Sequence, residues 1–173
     1  HAIERCFDQL AAGRGGALIM EGPGGIGKSR LVRELAARAR QRGYCALVGA
    51  AYEMEAAVAY GPFIDILQAA LRESPADHEL IPGEIAGAVG AAGAPGVPDS
   101  DPRAARTYLF AAIAEFLCRR AAAAPLVVVL ENLHAADQGS RELFHFLARR
   151  ARGMPVLLAA TCRMVPVRGG EHL

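Results

Sequence analysis

An α/β fold, a three-layer sandwich with a mainly parallel sheet, is what the sequence predicts, on two observations. Four short and almost wholly apolar segments alternate with amphipathic helical segments, and strands that are apolar on both faces require helices on both sides of their sheet. Between the first of these segments and the helix that follows lies "GPGGIGKS", Gly22 to Ser29, a loop with almost no side chains at the point where a strand hands over to a helix. Composition agrees: hydrophobic residues are 53%, much of it alanine, aromatics are 6% and tryptophan is absent, which suits closely packed elements. At 173 residues a single domain can bury roughly two-thirds of its unfolded surface.

The elements follow in order. Ile3, Phe7, Leu10 and Ala11 recur at helical spacing, so a short helix is expected from Ala2 to Ala12, ending near Gly13. "GALIME" reads as a buried strand over Gly16 to Glu21. From Lys28 to about Arg42 the positions Leu31, Val32, Leu35, Ala36 and Ala39 mark a helix, with Arg30, Arg33, Arg38, Arg40 and Arg42 mostly off its apolar stripe as a solvated face. A second strand spans Tyr44 to about Ala51, and "GPFIDILQAALRE" is a helix with Pro62 near its first position. The stretch 74–100 is rich in Gly, Ala and Pro, and is expected as a flexible insertion with at most a short helix at 84–89. Helix resumes at Pro102, with Ala105, Tyr108, Leu109, Ala112, Ile113, Phe116 and Leu117 on one face. "PLVVVLEN" is a third strand, Arg141 to Arg152 a helix, and "MPVLLAATCR" a fourth strand.

The glycine loop matches G-x-x-x-x-G-K-[ST] in the strand-to-helix context the motif needs. It reads as a phosphate-binding loop. Gly22, Gly24, Gly25, Ile26 and Gly27 supply backbone N–H groups that wrap an anion, helped by the positive end of the helix dipole. Lys28 would neutralise the β- and γ-phosphates, the Ser29 hydroxyl would ligate Mg²⁺, and Arg30 follows in the same first turn.

A second acidic site is expected at the end of the third strand. Glu131 can reach the metal's water shell, whereas Asn132 stands where a water-activating acid would serve, and an amide takes no proton at neutral pH. Either Asp137 or another residue does that work, or turnover is slow; Asp137 is also placed to cap the next helix.

Several stretches resemble one family. "VVVLENLHAAD", Val127 to Asp137, is similar to the "hhhhEDLHWAD" stretch of the ATPase domain in large LuxR-type transcriptional regulators and related STAND signalling ATPases, a P-loop branch near AAA+. "AYEMEAAVAYGPFIDILQAAL" resembles that family's segment after the second strand, "TYLFAAIAEFLCRRAAAAPL" its helix before the Walker B strand, and "LLAATCR" its sensor strand. The resemblance covers about Ala2 to Arg163 and departs at Asn132 and Ala135, where the family has an acid and a tryptophan. It implies a P-loop NTPase fold with the sensor strand between the P-loop and Walker B strands, ATP or ADP with Mg²⁺ as ligands, and Thr161 and Arg163 on the T-x-R positions facing the γ-phosphate. Glu131, Asn132 and Arg163 would then form the catalytic set, with Ser29 and Glu131 as the metal's protein contacts. His134 matches a family position and is assigned no chemistry.

These readings make the domain, expected over residues 1–173, an ATP-binding regulatory switch with slow or impaired hydrolysis, part of a longer chain because it begins with His1. A small-molecule kinase is the alternative, as is a nucleotide module governing a cyclase or kinase effector. The formal charge of +1 lacks the basic excess of a nucleic-acid-binding domain. DNA would be contacted only through segments beyond "VPVRGGEHL", and Arg103 and Arg106 could reach a neighbour's nucleotide if the domain self-associates. No apolar run approaches the ~18 residues of a membrane span. Cys6, Cys45, Cys118 and Cys162 are far apart in sequence and read as reduced, buried thiols of a cytoplasmic protein.

Overall fold

A computed structural model describes residues 2–55, 59–74, 81 and 102–163. The insertion expected over 74–100, apart from Ser74 and Ile81, lies outside the described residues, and so does its short helix at 84–89.

The chain runs α1 (Ala2–Ala11), β1 (Gly16–Gly22), α2 (Lys28–Gln41), β2 (Cys45–Ala50), α3 (Gly61–Glu73), α4 (Pro102–Ala123), β3 (Leu126–Glu131), α5 (Gln138–Arg150) and β4 (Val156–Arg163). Short 3₁₀ turns lie at Glu53–Glu55, Leu133–Ala135 and Ala151–Gly153. The four strands form one parallel sheet in the order β1-β4-β3-β2. The sensor strand β4 therefore lies between the P-loop strand and β3, as the resemblance implied.

Register carries the site. Gly22 pairs with Arg163 at the end of β1 and β4, and Ala50 pairs with Glu131 at the end of β2 and β3. All four strands thus deliver their carboxyl ends to one edge of the sheet, where an open α/β fold binds ligands.

Alternation along the strands divides the core in two. Ala46, Val127, Val129, Leu157 and Ala159 face α1 and α2, meeting Phe7, Leu10, Val32, Leu35, Ala36 and Ala39. Leu47, Leu126, Val128, Leu130, Val156, Leu158 and Ala160 face the other way, against α3, α4 and α5. Every residue from Leu126 to Leu130 is fully buried, the signature of a strand covered on both faces. Three layers result, as expected.

Details differ where tertiary packing overrides periodicity. Leu31 is 39% exposed because it stands beside Ile19 and Met20 at the outer edge of β1, where the sheet ends. In α4, Tyr108 is exposed and Phe110 is buried instead. The Phe110 ring is claimed by two aromatic neighbours, Tyr60 at 6.2 Å and Phe146 at 5.5 Å, contacts invisible to helical spacing. Helix α5 begins three residues before Arg141 because Asp137 caps it, its carboxylate accepting from Ser140 N–H at 3.0 Å.

The arginines of α2 are not simply solvated. Arg38 and Arg42 both pair with Glu4 of α1, at 2.9 and 2.7 Å, and Arg42 lies over the Phe7 ring at 4.4 Å. Arg40 donates to the Ala46 carbonyl at 2.7 Å. The ion pairs are exposed and so contribute modestly; their effect is to fix α1 against α2. The four cysteines are free but only half-buried, correcting the expectation of buried thiols. At the sheet end opposite the site, burial, followed by the neighbouring Glu73 carboxylate, pushes the Cys45 thiol up to about 11.

Candidate nucleotide site

The loop between β1 and α2 takes its shape from two glycines. Gly25 and Gly27 have φ of 78° and 103°, a region that side chains rarely tolerate. Gly27 is the N-cap of α2, and no side chain caps that helix end. Lys28 then folds back across the loop, its Nζ donating to the carbonyls of Gly22 and Pro23, each at 2.8 Å. The lysine thus holds the loop curled, with its charge at the centre of the curve.

Ser29, one residue on, reaches the end of β3. Its hydroxyl donates to Glu131 Oε2 at 2.6 Å, so the two predicted metal-binding residues meet directly although 102 positions apart. Both present oxygen, the donor that Mg²⁺ selects. No group of three or more His, Cys, Asp or Glu is assembled for a metal among the described residues. Mg²⁺ is held by one or two protein ligands and takes the rest from water and phosphate. Ser29 and Glu131 would hold it, and its chemistry would be to neutralise charge on the phosphates.

Beyond Glu131 the chain turns sharply. Asn132 adopts the left-handed region, φ 57° and ψ 42°, which Asn tolerates better than most residues. Three contacts fix this corner. The Asn132 N–H donates to Thr161 Oγ1 at 2.9 Å, the Asn132 side chain donates to the Ala51 carbonyl at 3.4 Å, and the Arg163 N–H donates to His134 Nδ1 at 3.3 Å. The ends of β2, β3 and β4 are therefore tied through one residue. Thr161, 1% exposed, points its hydroxyl at Asn132; it belongs to this corner more than to the open cleft.

A cleft of about 330 Å³ opens above the loop, walled by Gly24, Gly25, Gly27, Lys28, Ser29, Arg30 and Arg33 on one side and by Asn132 and Arg163 on the other. Its charged members are all cations, which suits a polyphosphate. Of the residues expected to bind phosphate, Gly22 contributes a carbonyl to Lys28. Ile26 stands outside this cleft, 65% exposed, with its side chain 3.1 Å from where a Cβ on Gly22 would sit. The loop therefore closes on Ile26, and a side chain at position 22 would press on it.

Sequence reasoning missed Arg33, which had been placed on a solvated face. One helical turn beyond Ser29, it donates from Nε to the Ser29 carbonyl at 3.3 Å and lines the cleft; the i to i+4 spacing from the motif serine was the available signal. Asp137, weighed as a substitute acid, is committed elsewhere. Besides capping α5 it accepts from the Ser140 hydroxyl and the Tyr60 N–H. Arg106, weighed as a finger, pairs with Glu142 at 2.5 Å.

The model of the AAA ATPase domain family matches residues 1–159, which includes every element up to the middle of β4. The chain belongs to the AAA ATPase domain family. An uncharacterized protein of Rhizobium meliloti (strain 1021) is 28% identical over 190 residues, an alignment that takes in 94% of this chain and 18% of that protein. The chain therefore spans under a fifth of the length of the curated relative it matches. This AAA ATPase domain has the mixed α/β architecture and all-parallel sheet of a P-loop NTPase, and nucleotide binding is the activity its family membership supports. Among the described residues, no helix is long and apolar enough to cross a membrane.

Thr161→Val removes the acceptor of the Asn132 N–H while keeping the side chain's shape. A donor left unsatisfied in a buried corner costs about 1–3 kcal/mol, so a urea denaturation midpoint lowered by a corresponding amount is expected. An unchanged midpoint would mean that Asn132 N–H finds water or another acceptor.

Proposed function

We propose that this AAA ATPase domain is the ATP-dependent switch of a larger regulator, binding ATP or ADP with Mg²⁺ and hydrolysing ATP slowly. One observation carries the reading: the residue following Glu131 is an amide, and its N–H is tied to the sensor strand through Thr161. An amide can position a water but cannot accept its proton, which favours a long-lived ATP state over rapid turnover. The tie to Thr161 couples whatever occupies the phosphate cleft to β4, and Arg163, two residues further on, lines that cleft. Differential contacts of this kind are what a nucleotide needs to shift a conformational equilibrium.

The effector belongs to the proposal too. The resemblance to large LuxR-type and STAND regulators favours a DNA-binding output outside these residues, in a cytoplasmic protein that self-associates when loaded. The small-molecule kinase reading gains no support from any group in the cleft.

The test is equilibrium binding of ATP and ADP, with and without Mg²⁺, combined with phosphate release by the parent and by Asn132→Asp. The parent is expected to bind both nucleotides and to release phosphate well below the ~10 s⁻¹ of a median enzyme. Asn132→Asp adds a proton acceptor at a left-handed position that Asp also tolerates, and should raise release tenfold or more with affinity held within about threefold. Absence of binding, or fast release by the parent, would overturn the switch reading.

A further inference from the structure

The cleft beside the phosphate loop joins a second one, and Asn132 and Arg163 line both. The far wall of the second cleft is the turn that follows β2. It is placed there by the backbone: Ala50 is in register with Glu131, Ala51 N–H donates to the Glu131 carbonyl at 2.9 Å, and the Asn132 side chain donates to the Ala51 carbonyl. Two residues further along, Glu53 opens the 3₁₀ turn and comes within 3.8 Å of Arg163, Oε1 to Nη1. Among the described residues lining the two clefts, Glu53 is the one carboxylate.

Resting on the nucleotide reading above, we propose that Glu53 supplies the carboxylate that Asn132 cannot, and so carries the domain's residual ATP hydrolysis. Of the other acids at this edge, Glu21 and Asp65 line neither cleft, and two are engaged. Glu131 accepts from Ser29, and Asp137 accepts from Ser140 and Tyr60. Glu53 is largely exposed, and among the described residues the long pair to Arg163 is the contact on its oxygens, so one oxygen can turn to a water held at the Asn132 amide. A general base need only come within hydrogen-bond reach of the proton it takes, and such contacts are commonly long before substrate binds.

The step is a simple displacement. The water oxygen forms a bond to the γ-phosphorus while the bond from that phosphorus to the β,γ-bridging oxygen breaks, and that oxygen leaves with the electron pair on ADP. The water's proton passes to the Glu53 carboxylate and from there to solvent. Arg163, between Glu53 and the phosphate cleft, holds the carboxylate on one side and faces the charge leaving the γ-phosphate on the other. The arrangement accounts for slow turnover without abolishing it: the acid arrives from β2, a strand away from the position where an Asp at 132 would stand.

The test uses Glu53→Gln, alone and combined with Asn132→Asp, with ATP affinity and phosphate release measured on each protein. Glu53→Gln is expected to lower phosphate release about tenfold or more while ATP affinity stays within about threefold. In the Asn132→Asp background, where a second carboxylate is present, the same change should cost less than about threefold. Release by Glu53→Gln within twofold of the parent would overturn the proposal, and so would release by the parent no higher than by Lys28→Ala despite tight ATP binding. An equal loss in both backgrounds would also overturn it, by assigning Glu53 to holding Arg163. Failure of the parent to bind ATP at all would instead remove the nucleotide reading on which the proposal stands.

Discussion

Lys28→Ala is expected to weaken binding of ATP and ADP by about a hundredfold or more, with the fold intact. Lys28 Nζ is held by the carbonyls of Gly22 and Pro23, so the charge is stationed at the centre of the loop's curve. A bound phosphate gains a charge-assisted hydrogen bond from that ammonium, the strong kind, and each 1.4 kcal/mol lost is tenfold in affinity. Removal of the ammonium takes away both this contact and the tie that keeps the loop curled. Stability without ligand should change little, because the Pro23 carbonyl is exposed and the bond to the Gly22 carbonyl is only partly buried, which lets water take the place of the ammonium. The two effects separate in one experiment. Nucleotide at a hundred times the parent's dissociation constant stabilises the parent by about 2.7 kcal/mol and a variant bound a hundredfold more weakly by about 0.4 kcal/mol; Lys28→Ala should show the parent's melting temperature without nucleotide and at most a small rise with it. A rise equal to the parent's would mean that phosphate is not held here.

Much of this site was legible because its signal is local. A glycine loop between a strand and a helix needs no tertiary information, and Gly25 and Gly27 do adopt left-handed φ. The strand order could be anticipated only through the resemblance, since four buried strands of similar composition carry no mark of their neighbours. Non-local features escaped. Arg33 looked like one solvated arginine among several, and nothing in "AYEMEA" distinguishes a carboxylate beside Arg163 from one in open water. Their importance depends on the register of β2 against β3, which sets where the chain leaves the sheet. Tyr108 and Phe110 exchange burial for the same reason: the deciding contacts come from α3 and α5, not from the spacing within α4. Asn132 stands out in the sequence as an amide after Glu131, but its left-handed backbone and its bond to Thr161 became visible only with β4 laid beside β3.

Gly49 carries a constraint that the sequence does not display, and Gly49→Ala is expected to destabilise the domain by about 3 kcal/mol. Nothing about a glycine inside an apolar strand announces a close approach, yet a Cβ at this position would lie 2.0 Å from the Pro62 carbonyl oxygen and 3.1 Å from Ile66 Cγ1. The first of these is backbone, with no rotamer to move, so α3 itself must retreat by more than an ångström. That helix carries Phe63, Ile66, Leu67, Ala70 and Leu71 into the larger of the two cores, and displacing it opens gaps beneath all of them. Gly16→Ala is the matching control: the same methyl on another strand glycine meets nothing within 4 Å, and its urea midpoint should stay close to the parent's. The comparison reaches the site as well. The chain from Ala51 to Tyr60 joins β2 to α3, and Tyr60 N–H is held by Asp137, so a shift of α3 pulls on the turn that carries Glu53 while leaving the phosphate loop, on the other side of the sheet order, in place. Gly49→Ala examined at a temperature where it remains folded should accordingly keep its affinity for ATP and lose phosphate release. Equal midpoints for Gly49→Ala and Gly16→Ala would show that α3 does not rest against β2 as described, and the placement of Glu53 beside Asn132 would fall with it.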